Sequence, residues 1–127
     1  MTEHAAGYDL FADVQEKVIV PPGQVKLIPT GIAVSIPVGY EAQIRPRSGL
    51  SVKHRIGILN SPGTIDADYR GEIQVILYNF SETDFQVEPM MRIAQMIISK
   101  HEIIDFLETD DLDETKRGSG GFGHSSY

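Results

Sequence analysis

Polar and apolar residues alternate with a period of two over most of the chain. Val25 and Leu27 stand on one side of residues 24–28. Ile32, Val34 and Ile36 alternate with Ala33 and Ser35, and Tyr40, Ala42 and Ile44 alternate with Glu41, Gln43 and Arg45. Period two is the side-chain repeat of a β-strand. Ile73, Val75 and Leu77 form one face of a further run, and Ile76, Tyr78 and Phe80 begin to fill its other face. A strand apolar on both faces is expected at the centre of a sheet. Residues 17–20, 56–59, 85–87, 92–99 and 102–107 are further strand candidates. Turn signals separate them: Pro21-Pro22-Gly23, Pro29-Thr30-Gly31, Pro37-Val38-Gly39, Ser61-Pro62-Gly63, Arg70-Gly71, residues 81–84 and Glu88-Pro89. Proline fixes φ and glycine allows φ > 0, which tight turns require. Short strands punctuated in this way predict an all-β sandwich, jelly roll or barrel. The one helix expected is Ser48–His54, about two turns long, with Ser48 as its cap.

At 127 residues the chain has the length of one domain. It contains no cysteine, which removes disulfides, thiolate nucleophiles and cysteine-based zinc sites together. His4, His54, His101 and His124 lie too far apart for a ligand motif, so a structural zinc is not expected. No apolar run is long enough for a membrane span, and residues 1–8 lack the basic and apolar regions of a secretory leader. The expectation is a soluble cytoplasmic domain with no membrane partner.

The net charge of −7 is unevenly distributed. Residues 102–114 hold seven acids (Glu102, Asp105, Glu108, Asp110, Asp111, Asp113 and Glu114) and no base, while the remaining eleven acids match eleven bases. An acidic chain lacks the basic face of a nucleic-acid-backbone binder. It can still hold one small anion in a local basic pocket. Residues 42–57 contain no acid and four of the eleven cations, Arg45, Arg47, Lys53 and Arg55. Arg47-Ser48-Gly49 opens the expected helix, so this segment reads either as an anion site or as a solvated charged turn.

Residues 63–71, Gly-Thr-Ile-Asp-Ala-Asp-Tyr-Arg-Gly, combine turn formers, two carboxylates and a tyrosine. Turn aspartates often bond only their own backbone, and a hairpin tyrosine often packs across strands. Asn60 reads as an ordinary turn residue or as a reader of a base edge, since its amide both donates and accepts. Asp9 and Gln95 are polar residues in otherwise apolar surroundings, and singly each has a structural reading. Residues 116–127 form a Gly/Ser-rich tail containing Arg117 and Phe122. Such a tail reads as a disordered terminus or as a phosphate clamp with a stacking platform. It is not a P-loop, because no lysine follows a glycine in the required spacing.

Taken in order, five segments resemble the five motifs of the trimeric dUTPase family. They are Ala6-Gly7-Tyr8-Asp9-Leu10-Phe11-Ala12, Arg45-Pro46-Arg47-Ser48-Gly49-Leu50, Asn60 with residues 63–73, Arg92-Ile93-Ala94-Gln95-Met96-Ile97, and Arg117-Gly118-Ser119-Gly120-Gly121-Phe122-Gly123. The resemblance spans nearly the whole chain. It implies a distorted jelly-roll or β-clip subunit with one short helix, forming a homotrimer with C-terminal arm exchange and three sites at the subunit boundaries. The domain would occupy residues 1–107, and residues 108–127 would form a flexible acidic connector and a Gly-rich lid.

The implied reaction is hydrolysis of dUTP to dUMP and pyrophosphate, with Mg2+ on the triphosphate and in-line attack on the α-phosphorus. This would keep uracil out of DNA and supply dUMP for thymidylate synthesis. By the same resemblance, Asp66 activates the attacking water, and Tyr69 packs under the deoxyribose, excluding a 2′-hydroxyl. Asn60, with the backbone of Thr64, Ile65 and Gln74, reads uracil. Arg47, Ser48, Gly49 and Gln95 contact phosphates, and Asp9 holds the metal through water. Arg117 and Ser119, within the Gly120-Gly121 loop, reach the β- and γ-phosphates, and Phe122 stacks over uracil. Many members read Ser-Thr-Gly where this chain has His124-Ser125-Ser126. Three rival readings are a dCTP deaminase of the same superfamily, a nucleotide-sensing protein-interaction module on this scaffold, and a plain β-sandwich binding module.

Overall fold

A computed structural model describes residues 2–123. Its strands are β1 (Gly7–Phe11), β2 (Val18–Val20), β3 (Val25–Pro29), β4 (Tyr40–Pro46), β5 (Ile56–Ile58), β6 (Gly63–Ile65), β7 (Gln74–Asn79), β8 (Phe85–Val87) and β9 (Arg92–Lys100). The helix α1 (Ser48–His54) lies between β4 and β5. One sheet has the order β1-β9-β4-β6, a second β3-β7-β5, and β2 pairs with β8 as a separate ribbon. All pairings are antiparallel. Many short strands in sandwiched sheets with one short helix make this the expected distorted jelly roll.

One apolar core joins the layers. The four-stranded sheet contributes Leu10, Ile44 and Ala94, and the three-stranded sheet contributes Ile28, Val75, Leu77, Ile56 and Ile58. Val20, Phe85 and Val87 enter from the ribbon and Leu50 from α1. As the pattern predicts, β7 is the middle strand of its sheet, with Val75, Leu77 and Asn79 buried and Ile76 and Tyr78 half-buried.

Asn79 is a fully buried polar residue whose amide is saturated. Its Nδ2 donates to the carbonyls of Val20 and Thr83, each at 2.8 Å. Its Oδ1 accepts from the Ser81 backbone N–H at 2.8 Å and the Ser81 hydroxyl at 2.7 Å. One side chain thereby ties β7 to β2 and to the turn that leads into β8.

Three local expectations differ from the structure. Residues 32–36 form no strand. Gly31 turns the chain at φ +69°, and the segment's backbone is tied to the sheet where the Ile73 N–H donates to the Ile32 carbonyl at 2.8 Å. Residues 102–107 also form no strand. Ile103, Ile104, Phe106 and Leu107 are exposed, and they fall as adjacent doublets, so no single face of a strand could collect them. Ser48 does not cap α1. It is already helical, and the N-cap position belongs to Arg47, whose side chain makes no capping bond. Beyond Lys100, the described part of the expected connector and lid is exposed apart from half-buried Gly120. Residues 124–127 of that lid lie outside the described residues.

Replacing Asn79 by Ala takes the amide donor from the Val20 carbonyl and the acceptor from the Ser81 N–H, while the Ser81 hydroxyl and the Thr83 carbonyl keep each other at 2.9 Å. Each group so left costs on the order of 1–3 kcal/mol. Asn79→Ala should therefore lower the unfolding free energy by about 3 kcal/mol, read from the urea midpoint at constant m-value.

Candidate active site

The register of the four-stranded sheet aligns one row of polar residues. Asp9 on β1 lies opposite Gln95 on β9, and Gln95 lies opposite Arg45 on β4. Directly paired residues share a face, so Asp9, Gln95 and Arg45 point the same way. The rows on either side are Leu10, Ala94 and Pro46, and Tyr8, Met96 and Ile44; from them Leu10, Ala94 and Ile44 enter the core and Met96 packs against it.

Two arginines flank Asp9. Arg47 Nε approaches Oδ1 at 3.4 Å, and Arg92 Nη1 approaches Oδ2 at 3.4 Å. Arg47 also donates from Nη1 to the Arg92 carbonyl at 3.4 Å. The Arg47–Asp9 pair meets ion-pair distance but not hydrogen-bond geometry, so Asp9 Oδ1 and Arg47 Nε are both buried without a hydrogen-bond partner. Orphaned buried polar atoms are rare in folded proteins and call for an explanation. A ligand with both anionic oxygens and water or metal ligands would satisfy them. Ser48 and Gly49 follow Arg47 as the first residues of α1, and a Cβ at Gly49 would stand in open space. A ligand can therefore approach this backbone closely.

The other expected residues gather elsewhere. A cleft of about 380 Å3 is lined by Thr64, Ile65, Asp66, Tyr69 and Gln74, with Leu27, Glu72, Ile73 and Ile76 completing its walls. The Tyr69 N–H donates to the Asp66 carbonyl at 3.1 Å, closing the turn that carries both side chains. The Tyr69 hydroxyl donates to the Glu72 carbonyl at 2.9 Å. Asn60 sits against Gly63, where a Cβ would come within 3.1 Å of the Asn60 amide nitrogen.

Within one chain these two groups do not meet. Asp9 is on β1 at one edge of the sheet, and Thr64 is on β6 at the other. Three strand spacings separate those edges, about 14 Å. The tail joins neither group. Arg117 Nε donates to the Gly120 carbonyl at 2.7 Å within a local turn, and Phe122 is fully exposed. Ser119 and Gly121 are exposed beside them.

Among the described residues, no group of three or more acids and histidines is placed to hold a metal ion. Asp9 offers one unpartnered carboxylate oxygen. That fits a hard cation whose other oxygen ligands come from water and a bound phosphate chain, as Mg2+ prefers. It does not fit a cage made by the protein alone.

Arg92 and Glu72 were not picked out as site residues by their types or spacing. Arg92 stands at the start of an apolar strand and shows its use only through the register that brings it beside Asp9. Glu72 acts through its backbone carbonyl, which no side-chain pattern reports.

Comparison with known proteins places these observations in context. The family model described as dUTPase matches residues 1–126. The deoxyuridine 5'-triphosphate nucleotidohydrolase of Rickettsia canadensis is 62% identical over 122 residues, covering 96% of this chain and 82% of that protein. The protein of the same name from Rickettsia typhi is 58% identical over the same shares. Among solved structures, the dUTPase of Staphylococcus bacteriophage 80alpha with dUPNHPP superimposes with a TM-score of 0.89 at 28% identity, covering 100% of this chain and 89% of that one. A dUTPase mutant from phage phi11 of S. aureus, described with a coordinated structural Mg(II) ion, gives a TM-score of 0.78 at 25% identity over 88% of each chain.

Because the Arg92 side chain is 54% exposed, its pairing with Asp9 is screened by water and worth at most about 1 kcal/mol. Arg92→Ala should shift the urea unfolding free energy by no more than that amount. A larger loss would mean that the Asp9 cluster is a stabilising element rather than a binding one.

Proposed function

The chain belongs to the dUTPase family and is a dUTP diphosphatase, and on that premise we propose how it works: water attacks the α-phosphorus of dUTP in line, releasing dUMP and pyrophosphate. The observation that carries the reading is the cleft whose wall holds both a carboxylate and an aromatic ring, Asp66 and Tyr69. The relatives' shared name favours hydrolysis of the triphosphate over deamination of a cytosine nucleotide.

Phosphoryl transfer asks the protein for positioning and charge neutralisation. Asp66 accepts the proton of the attacking water as general base. Tyr69 packs under the deoxyribose and leaves no room for a 2′-hydroxyl. Asn60 and the backbone of Thr64, Ile65 and Gln74 read the uracil edge. A cytosine presents reversed donors and acceptors there and would leave polar groups unpaired. Arg47, Ser48, Gly49 and Gln95 bind the phosphates. Asp9, with its unpartnered carboxylate oxygen, would help hold a hydrated magnesium ion brought with the triphosphate, and that ion would supply charge neutralisation for the leaving pyrophosphate. The products fit a role in keeping uracil out of DNA and providing dUMP for thymidylate synthesis, in the cytoplasm.

The sheet's geometry also supports a homotrimer. Asp9 on β1 and Thr64 in the wall of the Asp66–Tyr69 cleft stand on opposite edge strands of one sheet, and none of Asp9, Arg47 and Gln95 lines that cleft, which favours a nucleotide shared where two subunits meet. The exposed arm carrying Arg117, Ser119, Gly120, Gly121 and Phe122 then closes over a site at a subunit boundary. Ordering it costs entropy that phosphate and stacking contacts must offset.

Two experiments test this reading. Asp66→Asn should lower kcat by orders of magnitude with KM little changed, and Arg47→Ala should lose activity by weakened phosphate binding. Refolded together, these two inactive chains should regain pyrophosphate release, because some boundaries then combine an intact Asp66 with an intact Arg47. Failure of the mixture to recover activity would place both half-sites of each working centre in one chain. For the lid, trypsin cleavage after Lys116 and Arg117 should slow when a non-hydrolysable dUTP analogue and Mg2+ are added. Equal rates in both states contradict closure.

A further inference from the structure

We infer that Gly71 is a specificity-determining position for the sugar, acting through the ring of Tyr69; this rests on the reading of Tyr69 as the residue that excludes a 2′-hydroxyl. The ring lies directly against the Gly71 backbone. A Cβ built on Gly71 would stand 2.6 Å from Tyr69 Cζ and 3.0 Å from Cε2, and closer still to the phenol oxygen. Real Cβ atoms do not approach neighbours so closely, so any side chain at this position displaces the ring.

The absence of a side chain at Gly71 is a matter of space and not of backbone conformation. Gly71 is not among the residues with positive φ, so alanine fits its backbone without strain. What alanine would change is the seat of the tyrosine. That seat is otherwise well defined. The Tyr69 N–H is held by the Asp66 carbonyl at 3.1 Å, and its hydroxyl by the Glu72 carbonyl at 2.9 Å. Glu72 is itself anchored, with its Oε1 accepting from the Gly31 N–H at 2.8 Å. Beyond it, the Ile73 carbonyl accepts from the Thr30 hydroxyl at 2.6 Å, and the Ile73 N–H donates to the Ile32 carbonyl at 2.8 Å. The loop that presents the ring is therefore braced from the turn that follows β3, and the ring's hydroxyl end lies against Gly71. Tyr69 is partly exposed on its cleft side, so the space into which an added methyl would drive it is the cleft or its mouth. Driven toward the sugar, the ring obstructs dUTP. Driven outward, it admits UTP. Only the outward shift lowers the ratio of the two kcat/KM values, since a ring driven inward obstructs UTP at least as much as dUTP, and the outward course is the one the inference takes.

The test compares Gly71→Ala, Tyr69→Ala and the double variant, each as the full chain, by pyrophosphate release from dUTP and UTP with Mg2+. Gly71→Ala is expected to lower the dUTP-to-UTP ratio of kcat/KM by about tenfold or more, the scale of a one-methyl misfit in a pocket. On the Tyr69→Ala background the same substitution should change the ratio less than twofold, because the ring it displaces is gone. If Tyr69→Ala lowers the ratio and Gly71→Ala leaves it unchanged, the inference about Gly71 is overturned while the reading of Tyr69 stands. If Tyr69→Ala itself leaves discrimination intact, that reading fails and takes the inference with it. A Gly71→Ala chain that does not fold is resolved by the double variant, in which the clash is absent. If the double variant also fails to fold, Gly71 serves the loop itself and not the ring, and the inference is overturned.

Discussion

Strand β9 is bonded on both sides, to β1 and to β4, and the register of those two ladders is the constraint on which the polar site depends. It puts Asp9, Gln95 and Arg45 in one cross-strand row and, in the rows on either side, Leu10 with Ala94 and Met96 with Ile44, which pack in the core or against it. Slipping either ladder by one residue would exchange the rows. The carboxylate of Asp9 would then enter the core unpaired, at a cost far above the value of any surface contact. Core and site thus hold each other in place. The ladder relaxes only at its end, where the register shifts between Leu10 and Phe11. There the chain turns away, and Ala12 exchanges bonds with Met91 and Met90 at 2.8 and 2.9 Å.

The same sheet keeps Asp9 and the cleft apart. Asp9 and Thr64, part of the cleft wall, stand on its opposite edge strands, and no rearrangement short of unfolding would bring β1 beside β6. In the proposed assembly that rigid separation would be an advantage, since each half of the site would be preorganised by its own β-ladder and would meet substrate without deforming. The arm would then be the part that orders.

Most of the fold was legible in the sequence because strict alternation between turn signals has few interpretations. Strands β3, β4, β7 and β8, the bounds of α1 and the central place of β7 all follow from it. Where legibility ended, a physical reason is visible in each case. Residues 32–36 alternate correctly, but a strand also needs a neighbour, and alternation does not supply one. Gly63–Ile65 is a strand whose residues read as turn formers, and Gly7–Phe11 is one that its local pattern does not mark; in both, tertiary pairing overrode weak local preference. The five motifs supplied the candidate site residues, yet not their grouping into two separate clusters, which is a property of sheet order. Arg92 beside Asp9 and Gly71 beneath Tyr69 needed coordinates, since a residue's use as a neighbour or as empty space leaves no trace in its own type.

The exposed arm has one more consequence. Residues 102–108 read Glu-Ile-Ile-Asp-Phe-Leu-Glu, and the four apolar side chains are exposed. A short, extended, greasy segment of this kind is a template for cross-β stacking between chains. An acid stands at every third position, Glu102, Asp105 and Glu108, so that any in-register stack of copies would pile like charges at the fibril spacing. The negative charge therefore opposes such stacking wherever the segment lies uncovered. The same acids would be a liability in a buried strand, so the charge that guards this stretch also keeps it out of the sheet.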